Sequence, residues 1–176
     1  MHETPDDLAK LQGLLDRSFA RAGSHLLSIF DPSRRLDAAQ LSEILSGVRV
    51  LNLATVTASG EPRVGPVDGH FHRGRWYFGS SPDSVRFKHI RARPATSAAH
   101  TVGEELAVIV HGSASILDMS LPDQAGLRAQ LMETYGTDPA FVDYLQKREM
   151  GWDDWFAGAL YARIDAQKMF TFSSGR

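Results

Sequence analysis

Cysteine is absent from the 176-residue chain, which excludes disulfide frameworks, thiolate metal centres and cysteine nucleophiles together. No charge of one sign dominates. The 19 Lys and Arg stand against 21 Asp and Glu, a formal net charge of -2, so no global field favours nucleic acid or an anionic membrane, and any anion recognition must come from a local cluster. No run approaches the roughly 20 apolar residues that cross a bilayer. The opening Met1-His2-Glu3-Thr4-Pro5-Asp6-Asp7 is acidic and lacks the basic start and apolar stretch of a secretory signal. Internal repeats, low-complexity tracts, a Gly-rich nucleotide loop and a defensible Ser-His-Asp order are missing too. These absences set the expectation of a soluble, cytoplasmic protein with neither nucleic acid nor membrane as partner.

What is present is ordinary globular composition, 43% hydrophobic and 23% charged, in a length suited to one domain. Leu8, Leu11, Leu15 and Phe19 recur at helical spacing and predict an amphipathic helix ending near Gly23. Asp37 with Gln40 three residues on makes a capping-box pattern ahead of Leu41, Ile44 and Leu45, with Gly47 at the exit. From Val50 the period shortens. Val50 to Thr57, a run through Phe71, and Trp76-Tyr77-Phe78 read as three antiparallel strands joined by turns at Ala58 to Pro62 and His72 to Arg75. A helix between Asp83 and Arg93 interrupts them. Ala95 to Val102 and Leu106 to Leu117 then resume as strands. Helices are predicted over Asp123 to Tyr135 and Pro139 to Met150, and two closing strands over Ala159 to Ile164 and Lys168 to Phe172. Sequential antiparallel strands of this kind favour a barrel, because closure removes exposed edges. The division expected is an N-terminal helical extension over residues 1–35 and a barrel domain over residues 36–176.

The stretch from Gly79 to Arg91 carries the chemistry. A strand ends at Gly79, Ser81 is suited to an N-cap, and Pro82 fits the first helical position. A helix N-terminus so presented offers unpaired N–H groups and about half a positive charge to a phosphate. Ser80, Ser81 and Ser84 add hydroxyls, and Arg86 adds a fork of donors matched to phosphate oxygens. Lys88, Arg91 and Arg93 enlarge the local positive surplus. The competing reading is a solvated basic helix that binds nothing.

Leu53-Ala54-Thr55-Val56, Gly60 through Val67, Gly74 through Ser80, Ser84-Val85-Arg86, Ile90 and Pro94 follow one another in an order and spacing that resemble the pyridoxamine 5′-phosphate oxidase-like superfamily. The similarity runs from Leu36 to Leu117. The resemblance implies a mainly β (α+β) fold, an antiparallel split β-barrel with peripheral helices. It also implies a homodimer holding a cofactor at the subunit interface, commonly FMN, in some branches the deazaflavin F420, in others haem or none. Carried over by position, Arg63, Pro66 and Val67 line the flavin ring, Ser80 and Ser81 meet ribityl or phosphate oxygens, and Arg86 stands where the family usually places a phosphate-binding lysine, with Arg91 in support. Where many relatives continue with bulky apolar residues, Asp68-Gly69-His70 follows here, which implies a more open and polar substrate side at Gly69 and His70. The function implied is an FMN- or F420-dependent oxidoreductase of a small organic substrate. The alternative is a flavin- or haem-binding carrier or sensor without turnover.

His70 and His72 stand two apart on a strand and face one side, but no third ligand is evident, so no metal site is expected. His111 lies in an apolar strand and reads as a satisfied core histidine, with haem ligation as the alternative. His89 and His100 share that ambiguity. Trp152 and Trp155 read first as packing groups, and second as rings reaching over a cofactor.

Overall fold

The computed structural model describes residues 2–174. Its first helix, α1 (Pro5–Ala20), opens on a capping box between Thr4 and Asp7. After the short α2 (Ser24–Ile29) comes α3 (Ala38–Ile44), capped by Asp37 and Gln40 in the predicted reciprocal pattern. Six strands and four further α-helices then follow in the order β1 (Val48–Val56), β2 (Pro62–His72), β3 (Arg75–Ser80), α4 (Val85–Ala92), β4 (Ala95–Val102), β5 (Leu106–Leu117), α5 (Ala125–Gly136), α6 (Pro139–Lys147), α7 (Trp152–Gly158) and β6 (Leu160–Ser173). The strands close an antiparallel barrel in the order β1-β2-β3-β6-β5-β4. No described helix is long and apolar enough to cross a membrane.

Alternation explains which face of each strand is inside. Leu51 and Leu53 of β1, Val67 and Phe71 of β2, Trp76 and Phe78 of β3, and Val108 and Val110 of β5 fill the interior, as period-2 patterning requires. Phe87 and Ile90 of α4 plug this core, and Leu11 and Leu15 of α1 belong to the same cluster. On the outer surface a second cluster, with Leu127, Leu131 and Phe156 among its members, covers Tyr77 and Tyr161.

Two details differ from the sequence reading. The two closing strands are one continuous strand, β6, in which His111 pairs with Lys168 but Gly112 with Ala166, leaving Gln167 as an extra bulged residue. A bulge lets pairing pass through Asp165-Ala166-Gln167, residues without strand preference. The short helices α2 and α7 were also absent from the expectation, each being under two turns and without a usable period.

A side chain ties α1 to the barrel. Ser18 is buried; its hydroxyl donates to Leu14 O at 2.7 Å and accepts the N–H of Met169 at 3.0 Å. Ser18→Ala removes the acceptor and strands a buried amide, at a cost of about 1–3 kcal/mol. The expected result is a lower Tm with the fold retained; an unchanged Tm would show that Met169 does not depend on Ser18.

Candidate functional site

At the end of β2 farthest from the β2–β3 turn, a cleft of about 270 Å³ lies against α4. Its wall includes Arg63, Gly65, Ser80, Ser84, Arg86 and His89. Arg86 reaches across to donate to Pro66 O at 3.2 Å. Gly65 makes room for that reach, since a Cβ there would stand 3.3 Å from Arg86 Nη2. No carboxylate pairs with Arg86 among the described residues, so its charge is free for a ligand. Arg63, by contrast, is exposed and held by Glu61 at 2.9 Å.

The helix beginning at this cleft starts later than the sequence suggested. Ser84, not Ser81, is the N-cap, its hydroxyl accepting from Phe87 N. Ser81 to Ser84 forms a turn, with Ser84 N bonded to Ser81 O at 3.0 Å. Pro82 serves the second position of that turn, for which its fixed φ is as well suited as for a helix start. The shift moves the uncapped N–H groups of α4 to the neighbourhood of Ser84, Val85 and Arg86, all three on the cleft.

The structure brings Arg63, Ser80, Ser84 and Arg86 together and supplies Pro66 through its carbonyl. Three others sit elsewhere. Ser81 is exposed in the turn. Arg91 donates to Pro82 O at 3.1 Å and so braces the turn from behind. Val67 points into the core at 7% exposure, because its odd position on β2 alternates with Pro66. Thr55 and His89 were not among the predicted site residues, yet they line the cleft, joined by a 2.9 Å hydrogen bond between Thr55 Oγ1 and His89 Nδ1. The signal for His89 was its position three residues after Arg86, one helical face along.

The open polar face expected at Gly69 and His70 is closed. A Cβ at Gly69 would lie 2.8 Å from Leu51 Cβ, and His70 is 1% exposed. His70 Nε2 lies 3.1 Å from the Tyr135 hydroxyl, which itself donates to Asp68 at 3.3 Å. With that proton on the carboxylate side, the ring supplies the other, leaving Nδ1 as a buried atom without a partner. Burial drives the His70 pKa down to about 4, against a smaller upward pull from Asp68. Burial first, and the Asp68 charge next, push the Tyr135 hydroxyl up.

The remaining histidines separate. His111 is exposed on the outer face, where Ser97 Oγ lies 2.8 Å from Nδ1, and is not the core residue expected. His100 is buried and donates from Nδ1 to Val50 O at 2.9 Å. No group of three or more His, Asp or Glu side chains among the described residues could hold a metal ion. Trp152 and Trp155 are half-buried, packed on Phe141 of α6 with ring centroids 5.5 and 5.0 Å away, and neither lines the cleft.

A closed antiparallel barrel with helices on its periphery and a basic cleft at one strand end defines the split-barrel class. The chain belongs to the pyridoxamine 5′-phosphate oxidase family, whose model, described as pyridoxamine 5′-phosphate oxidase, matches residues 38–156. Among solved structures, a conserved hypothetical protein from Mycobacterium tuberculosis is similar at TM-score 0.63 and 18% identity, over 81% of this chain and 88% of that one. The haem storage protein of Vibrio cholerae is similar at TM-score 0.59 and 16% identity, over 84% and 99%. An F420 reductase is similar at TM-score 0.51 and 16% identity, over 73% and 94%. At these identities the likeness is one of fold. No curated protein matches the chain.

Proposed function

We propose that the chain is a flavin- or deazaflavin-dependent oxidoreductase acting on a small organic substrate, with FMN as the first choice of cofactor and F420 as the second. The observation that carries the reading is the unpaired guanidinium of Arg86, set beside two serine hydroxyls and the N-terminus of α4 in one cleft. That donor set suits a phosphate, as it does other oxyanions. Arg86 and Ser84 would hold the phosphate, Ser80 the ribityl chain, and the backbone around Gly65 and Pro66 would flank the ring, with Arg63 available once it leaves Glu61. The bound flavin would supply the electron and hydride chemistry, the chain its binding and orientation.

Size supports a second copy as partner. Ligand pockets for molecules of this kind usually run from about 300 to 1,000 Å³, so a cleft of about 270 Å³ houses part of a flavin. Val64 and Val85 on its rim are 69% and 64% exposed. Apolar side chains clustered around an incomplete pocket suit a surface closed by a homodimer.

The test is mass spectrometry of whatever co-purifies, followed by titration with FMN and with F420 and by light scattering for the oligomer. A yellow dimer that bleaches with reductant and recovers with substrate supports the reading. A Soret band supports the haem-binding alternative, and a chain that binds neither flavin overturns both cofactor assignments. Arg86→Ala is expected to weaken flavin binding about 10- to 100-fold, the worth of one or two charged hydrogen bonds, with Tm unchanged because the side chain bonds only to an exposed carbonyl. Unchanged affinity in a fluorescence titration would remove Arg86 from the site.

A further inference from the structure

A second, larger cavity shares no lining residue with the cleft above. It measures about 850 Å³ and lies between α1, the β2–β3 turn, the start of α5 and the bulged part of β6. Five basic side chains, Lys10, Arg17, Arg73, Arg75 and Arg163, face three acidic ones there. Some of that charge is balanced within the wall. Arg163 Nε donates to Asp165 at 2.7 Å, while Arg75 and Arg73 stand 3.9 Å from Asp165 and Asp7. Lys10 is paired with Asp6, whereas Arg17 has no carboxylate partner among the described residues, so the wall keeps a positive surplus.

One polar atom of a largely buried side chain in this wall is left open by its neighbours. His72 is 5% exposed, and its Nδ1 lies 2.6 Å from Gln130 Oε1. Gln130 donates from Nε2 to Phe71 O at 2.9 Å, which fixes its amide and makes Oε1 an acceptor. His72 must therefore carry its proton on Nδ1, and Nε2 presents a bare lone pair. That lone pair has no hydrogen-bond partner among the described residues. Gly126, in the first turn of α5, stands beside it, so that an added Cβ would sit 3.4 Å from Nε2, and the His2 ring packs on the imidazole with centroids 5.7 Å apart. His72 and Gly126 line the cavity.

A bare imidazole nitrogen repels a simple oxyanion and welcomes an O–H donor. Basic side chains around it do the reverse. A single ligand that satisfies both is an anion that also bears hydroxyl groups. We propose that this cavity binds a small polyhydroxylated anion of the sugar-acid or sugar-phosphate class, its acidic groups held by the arginines and one hydroxyl donated to His72 Nε2. The assignment does not depend on the flavin reading.

Glucarate and adipate test it, because both are six-carbon dicarboxylates and differ in their hydroxyls. Calorimetric titration should show saturable glucarate binding about tenfold tighter than adipate, roughly what one well-placed hydrogen bond supplies. It should also perturb the nitrogen resonance of His72 Nε2. Gly126→Ala is expected to abolish the preference for glucarate while Tm holds or rises, since Ala is the better helix former. Arg86→Ala should leave glucarate binding untouched. Absence of saturable binding, equal affinity for the two probes, or a preference that survives Gly126→Ala would overturn the proposal, as would loss of glucarate binding in Arg86→Ala, which would place the ligand in the other cleft.

Discussion

Between pH 6.5 and about 4 the protein is expected to lose roughly 3 kcal/mol of stability through one side chain, His70. In the unfolded chain this imidazole takes up a proton near its ordinary value. In the folded chain it does so only near pH 4, because the ring is buried and its free Nδ1 has no acceptor to receive the new N–H. Its folded pKa is therefore depressed. The associated stability is present above pH 6.5 and is lost progressively as pH falls toward 4, where the folded form protonates as well. Asp68 works against this shift and is not large enough to cancel it.

Other groups act in separable ways. The lowered carboxylates Asp7 and Asp165 lose their contributions at lower pH, below the ordinary carboxylate value. His72 and His111 are shifted down as well, so the shape of the parent curve alone does not isolate His70. His70→Gln does, by keeping an amide donor for Tyr135 without a group that titrates. Urea unfolding of both proteins at half-unit steps from pH 7 to 4 should show the variant losing markedly less stability across that window. Parallel curves would mean that His70 takes up its proton at the same pH folded and unfolded.

What could be read in advance follows from how far each signal reaches along the chain. The capping box at Asp37 and Gln40 is a local device, complete within four residues, and it appears as expected. The strands of the barrel were legible because alternation of Leu51, Leu53 and their counterparts repeats over each segment. Pro82 misled because one residue suits two local structures, and the choice between them is made by Phe87 and Ile90 reaching the core. The same limit governs the site. Ser80, Ser84 and Arg86 are close in sequence and were found together, whereas the burial of His70 depends on Tyr135, far along the chain. The larger cavity draws on α1, β2, β3, α5, β5 and β6 at once, so no single stretch announces it.

Gly112 shows how a pairing irregularity and a missing side chain depend on each other. A Cβ built at this residue would stand 2.2 Å from Asp165 O and 3.0 Å from Asp165 C. Both are backbone atoms of β6, fixed by the pairing on either side of the bulge, so no side chain can turn aside to make room. The two strands can approach so closely only where one has no side chain, and the bulge at Gln167 brings β6 to that approach. Gly112→Ala must therefore push β6 outward or break its ladder at the place where Asp165 meets Arg163 and Ser115. Overpacking commonly costs about 1–3 kcal/mol and more when backbone must move, so a loss of at least about 3 kcal/mol is expected, a fall in Tm of roughly 6–12 °C for a chain of this size. Gly158→Ala is the control, since nothing lies within 4 Å of the added Cβ. If the two variants melt together, β6 is free to move at the bulge, and the close approach does not hold the strand in register.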